Sequence, residues 1–139
     1  MGVLSTITAD GKPWGSAIYY VADGSFNFYF VTRVETFKYQ NLNKTPFAAL
    51  TITDSATQTT VQATGEITKV PIMHYMNEFF DKFANIRPNG EDVWSPPLAK
   101  LNKGEFMPLC LTPTHLQYAD YGHKKSNPHA NYIEKIIPS

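Results

Sequence analysis

The stretch Val31-Thr32-Arg33-Val34-Glu35-Thr36-Phe37-Lys38 holds the residues best placed to do chemistry. An extended run gives way there to Thr36, a good N-cap, followed by Phe37, Lys38 and Leu42 on a short helix that Pro46 must end. A strand end that feeds a helix start attracts anions. The first N–H groups of the helix have no internal partner, and the macrodipole adds partial positive charge. Lys38 sharpens the point, because a cation in the first turn opposes the dipole at a cost of about 0.3–1 kcal/mol when exposed and unpaired. A bound phosphate would reverse that sign. Two accounts stay open on these residues alone: a phosphate held by backbone, hydroxyl and Lys38, or a lysine that reaches into solvent or pairs with Glu35. Arg33 is a second candidate cation.

Other catalytic templates find no support. The chain has no glycine-rich phosphate loop, no nucleophile elbow and no His pair at metal-ligand spacing, so no metal is expected. His74, His115, His123 and His129 are scattered and read as surface or structural imidazoles; His123 keeps some interest because it follows the last aromatic strand. Cys110, within Pro-Leu-Cys-Leu, reads as a small buried hydrophobe with nothing nearby in sequence to lower its pKa. Paired carboxylates on one strand face are missing, which argues against glycosidase chemistry.

The elements that must position this stretch are mostly strands. Residues 3–9 are rich in β-branched types, Asp10-Gly11-Lys12 signals a hairpin, and 13–21 is a second extended run. A turn at Ala22-Asp23-Gly24-Ser25 leads into 26–32, where Phe26, Phe28 and Phe30 alternate with other residues, predicting three antiparallel strands in succession. After the short helix come strands over 47–54 and 59–70, the second interrupted by Gly65. Ile72, Met76, Phe79 and Phe83 predict an amphipathic helix over 71–85 whose apolar stripe belongs to the core. Two closing strands, 106–112 and 116–121, are expected around Thr112-Pro113-Thr114, with Pro108 placing the first near an edge or bulge. Six or seven short strands, one short helix between the third and fourth and one longer inserted helix predict a mainly β fold, an antiparallel barrel.

Composition narrows the function classes. At 139 residues the chain has the length of one domain that can bury a core without disulfides. Twelve Lys plus Arg balance twelve Asp plus Glu, so no overall field would gather nucleic acid or an anionic membrane. One cysteine excludes a disulfide framework and fits a reducing compartment. The start of the chain lacks a basic segment followed by an apolar run, and no later stretch is apolar enough to span a bilayer, so a cytoplasmic protein is expected. Nineteen aromatics, nine Phe, eight Tyr and two Trp, supply either core filling or flat walls on which a ring can stack.

The ordered set Gly11-Lys12-Pro13, an extended 15–21, Phe28-Tyr29-Phe30-Val31-Thr32, Lys38, Asn41-Leu42 and Pro46 resembles the pyridoxamine 5'-phosphate oxidase-like FMN-binding split barrels. The likeness is strongest over 3–65 and continues through Leu111-Thr112-Pro113-Thr114-His115-Leu116-Gln117-Tyr118, which resembles the family's closing strands. It implies a split-barrel domain over 1–121; the tail over 122–139, polar and then briefly apolar at Ile133, Ile136 and Ile137, either docks on the partner subunit or frays. The resemblance also implies a homodimer with flavin mononucleotide (FMN) at the subunit interface. Carried over by position, Ser16, Ala17 and Ile18 would line the flavin along the second strand, Val31 and Thr32 would sit at the end of the third, and Lys38 would meet the phosphate. Thr60 would reach the ring or ribityl chain, and Trp94 would be a contact from the partner subunit or a buried interface residue.

Two departures bear on specificity. Phe37 precedes Lys38 where family members often carry a basic residue, and Ser16 stands where arginine is frequent, which predicts weaker phosphate binding. The arginine and histidine signature of vitamin B6 oxidases near the carboxyl terminus is also not evident. The resemblance implies an FMN-dependent oxidoreductase acting on a small molecule, with a nicotinamide cofactor or oxygen as the other electron partner. The rivals are a non-catalytic flavin or haem carrier or sensor, a deazaflavin enzyme, and a ligand-free dimeric interaction module.

Overall fold

The computed structural model describes residues 1–70, 106–122 and 133–137. The chain opens with β1 (Gly2–Ile7) and β2 (Pro13–Ile18), an antiparallel hairpin closed by Gly11 at φ +81, where a side chain would be strained. Then follow β3 (Val21–Ala22), β4 (Phe28–Arg33), α1 (Phe37–Lys44), β5 (Phe47–Asp54), β6 (Thr59–Lys69), β7 (Phe106–Asp120) and β8 (Ile133–Ile137). They form one antiparallel sheet in the order β2-β1-β5-β6-β7-β4-β3, with β8 added to β7. This sheet curls into a half-barrel, as the sequence predicts for a split barrel. The helix predicted over 71–85 and Trp94 lie outside the described residues, as do His74, His123 and His129.

Three details differ from the sequence reading. The run 13–21 is not one strand: it breaks at Tyr19-Tyr20, so β2 pairs with β1 and the β3 stub pairs with β4. The third predicted strand, β4, therefore lies not beside β2 but between the β3 stub and β7. Asp23 sets the turn between β3 and β4, because its carboxylate accepts the Ser25 and Asn27 N–H groups, each at 2.9 Å, and curls the chain before β4 starts. Phe26, expected in the strand, sits in that turn at φ 65 and is exposed. Third, 106–112 and 116–121 are not two strands; a single strand runs through Pro113.

That strand, β7, is the spine of the fold. One of its edges pairs with β6 along almost its whole length, and the other pairs first with β4 and then, beyond Pro113, with β8. The register slips between Thr64 and Gly65, which leaves Thr114 as the extra residue of a β-bulge. Gly65 is needed there, since a Cβ would come within 2.0 Å of the Thr112 carbonyl oxygen.

Alternation decides which residues face inward. Leu4 and Thr6 of β1, Phe28 and Phe30 of β4, Leu50 of β5, and Leu111 and Leu116 of β7 are buried and meet inside the curl. Each large apolar side chain so buried contributes about 1.5–3 kcal/mol relative to exposure. The helix α1 closes one end of this core. Leu42 enters the core, and the Asn41 amide donates to the Thr6 hydroxyl at 3.1 Å, tying helix to first strand across 35 residues of chain.

Candidate functional site at the start of the first helix

The turn from β4 into α1 is held by threonine hydroxyls. Thr36 has the extended backbone of an N-cap, and its hydroxyl accepts the Tyr39 N–H at 3.2 Å while donating to the Arg33 carbonyl at 2.8 Å. Thr32, only 3% exposed, bonds the same hydroxyl at 3.0 Å. The cap is thus braced from the last inward position of β4. No acidic residue occupies the first helical turn, so nothing of opposite charge within the helix offsets its positive end.

Lys38 lies on the helix stripe that also carries Asn41 and Leu42, three and four residues on. Both of those are buried, so the stripe faces the barrel and Lys38 is half-buried with it. Burial lowers its pKa below the ordinary lysine value. The pairing with Glu35 that the sequence left open does not form, because Glu35 engages the Arg33 guanidinium instead. Among the described residues Lys38 has no hydrogen-bond or ion-pair partner. A half-desolvated ammonium at a helix N-terminus, with its local carboxylate taken by another cation, suits a phosphate group.

The other predicted positions fall in different places. Ser16 pairs with Leu4, Ala17 with Val3 and Ile18 with Gly2, so Ser16 and Ile18 share the inner face while Ala17 is exposed on the outer one. Ile18 is a core residue at 5% exposure. Among the described residues β2 ends the sheet, and its outer edge presents backbone donors and acceptors, through which these residues can reach a ligand irrespective of face. Val31 is half-buried on the outer face opposite Pro108, whereas Thr32 points inward to the cap. Thr60 lies between Thr53 and Ala119 at the other end of the sheet from α1. The fold therefore joins Thr32 to the turn before Lys38 and leaves Thr60 remote from both.

Two groupings were not foreseen. Trp14 and Phe37 meet edge to face at 4.8 Å between ring centroids and 70° between planes, and both remain about half exposed. The hairpin register carries the only sequence signal for this, since it sets Trp14 opposite Thr6, the strand residue to which α1 is tied. The second grouping is Asp23, Tyr29 and Cys110. The Tyr29 hydroxyl donates to Asp23 at 3.0 Å, and Cys110 is its cross-strand neighbour. Burial first, and then the Asp23 hydrogen bond, push the Tyr29 phenol up to about 12, and burial raises the Cys110 thiol as well. Such a thiol is inert as a nucleophile. Among the described residues no three His, Cys, Asp or Glu side chains cluster as metal ligands, and no helix is long and apolar enough to cross a membrane.

Comparison with known proteins agrees with this fold. The chain superposes on a pyridoxamine 5'-phosphate oxidase-related, FMN-binding protein from Nostoc punctiforme with a TM-score of 0.63 at 14% identity, covering 99% of this chain and 86% of that one. An F420 reductase matches with a TM-score of 0.59 at 21% identity over 83% and 86% of the two chains. A haem-binding protein from Mycobacterium smegmatis gives 0.66 at 16% identity, over 98% of this chain and 52% of that one. At such identities these likenesses establish the fold alone. No curated protein sequence matches the chain. The sequence pattern of the family described as pyridoxamine 5'-phosphate oxidase, however, matches residues 1–97, most of the chain and all of the strand-to-helix site, and the protein therefore belongs to that family.

Proposed function

We propose that the chain is an FMN-dependent oxidoreductase working on a small molecule, with Lys38 and the start of α1 holding the flavin phosphate. The observation that carries this reading is the state of Lys38: half-buried, stripped of its neighbouring carboxylate by Arg33, and set at a positive helix end. In an apo protein that arrangement only costs stability, and a dianionic phosphate offsets it. The flavin, when bound, supplies hydride or electron transfer, and the chain's own residues bind and orient it. Ser16, Ala17 and Ile18 would meet the ring from the edge of β2, Val31 and Thr32 from the end of β4, and Thr60 from farther off, with Trp94 as the contact from the partner subunit. Thr32, whose hydroxyl already braces the cap, contributes by holding the turn and by its backbone.

On this reading two copies associate through the outer face of the β1–β2 hairpin, where exposed Val3 lies beside small Ala17, and share the flavin at their interface. A nicotinamide cofactor or oxygen completes the electron transfer, and a reducing cytoplasm suits the buried thiol of Cys110.

The test is the visible absorption spectrum of protein purified without added cofactor, with chromatographic identification of whatever denaturation releases. Stoichiometric FMN is expected, with oxidation of a reduced nicotinamide or transfer of electrons to an acceptor. A colourless protein that does not take up FMN would sink the proposal, and a haem Soret band in place of flavin bands would replace it with the carrier reading that the haem-binding structural relative favours. Redox cycling of bound FMN without turnover would likewise point to a carrier or sensor.

A further inference from the structure

Among the described residues the phosphate end of the site has one cation, Lys38, and one aromatic wall. The five other described cations are spoken for or lie elsewhere: Arg33 pairs with Glu35, Lys12 pairs with Asp10 at 3.5 Å, Lys44 is in the last turn of α1, Lys69 sits 5.7 Å from the Tyr39 ring centroid, and Lys135 is on β8 opposite Gln117. Phe37 is the first residue of α1, and a side chain there tilts back toward the helix N-terminus, over the turn that presents the N–H groups. Its ring is held by Trp14 from β2, and the pair stays about half exposed at the mouth of the turn.

From this we infer that the Trp14–Phe37 pair is the specificity element of the phosphate end, admitting a flavin whose side chain ends in a phosphate monoester and excluding one extended through a phosphodiester. The inference rests on the FMN reading above and narrows it. A terminal monoester concentrates its charge on three oxygens of a single phosphorus, which one lysine and a helix end can serve together. A phosphodiester spreads similar charge over a longer chain. Beyond Lys38 the described residues offer that chain ring edges and no second cation, so it loses hydration without gaining a charged partner among them. Phe37 thus does more than remove a positive charge: with Trp14 it builds an apolar barrier where the ligand would have to continue.

The test titrates apoprotein with riboflavin, FMN and FAD, following flavin fluorescence, and repeats the series with Phe37→Arg and Trp14→Ala. Both side chains are about half exposed, so both variants are expected to fold, with circular dichroism as the check. Native protein should bind FMN at least about tenfold more tightly than FAD, the worth of roughly one charge-assisted hydrogen bond. In Phe37→Arg the gap between FMN and FAD should narrow, and in Trp14→Ala it should narrow less, through loss of the barrier without gain of charge. Equal or tighter binding of FAD by native protein would overturn the inference, as would an FMN-to-FAD ratio that neither variant changes. Failure of all three flavins to bind would instead overturn the underlying FMN reading.

Discussion

Replacing Lys38 by Met separates the two costs that meet at the start of α1. Methionine keeps the length and apolar stem that lie on the buried stripe with Asn41 and Leu42 but carries no charge. Without ligand the variant should be more stable than the parent. Relief of the dipole repulsion is worth about 0.3–1 kcal/mol, or roughly 1–4 °C in Tm for a domain of this length. FMN affinity should move the other way. Loss of one charge-assisted contact of about 1.5–3 kcal/mol weakens binding roughly ten- to a hundredfold. The assay is thermal and urea denaturation of apoprotein with and without FMN, alongside direct fluorescence titration, because a ligand that binds only the native state raises Tm by mass action. The pH dependence supplies a third readout. Burial sets the folded-state pKa of Lys38 below its unfolded value, so between the two the unfolded chain binds more protons and native stability rises with pH. The penalty is fully present below the folded pKa and gone above the unfolded one, and Lys38→Met should lack that alkaline rise. A Met variant that is less stable without ligand, or that keeps the parent's FMN affinity, would refute the reasoning.

Gly65→Ala should be among the most damaging substitutions in the sheet, because its Cβ would fall 2.0 Å from the Thr112 oxygen and 2.7 Å from Pro113 Cα, atoms of backbone that cannot rotate away. Overpacking of side chains costs about 1–3 kcal/mol, and separating two strands at a bulge should exceed that, giving an aggregating protein or a fall in Tm of several degrees on denaturation. Tyr29, whose phenol is raised from 10.0 to about 12, should lend stability that is complete below its unfolded value and is lost as pH climbs through that window. Alkaline denaturation compared with Tyr29→Phe measures this, and an unchanged pH profile in the variant would disprove it.

Much of this protein is legible in its sequence because the signals are local. The alternation that buries Phe28 and Phe30, the hairpin at Asp10-Gly11, the cap at Thr36 and the helix end before Pro46 each depend on a few adjacent residues. The same holds for the attraction of the strand-to-helix turn for an anion, since a helix end carries its unpaired N–H groups wherever it is placed. Pairing across long stretches of chain was not legible. No neighbouring residue tells β4 to lie against β7 in place of β2, and Pro113 read as a strand break because its tolerance depends on a glycine, Gly65, nearly fifty positions earlier. Tertiary structure also decided the state of the candidate site. Sequence supplied Lys38 with two possible fates, and only the Asn41–Thr6 tie, which turns that stripe of α1 toward the barrel, together with the capture of Glu35 by Arg33, left the ammonium half-buried and without a carboxylate partner among the described residues. A charge's position along the chain is written locally, but its desolvation depends on which distant surfaces fold over it.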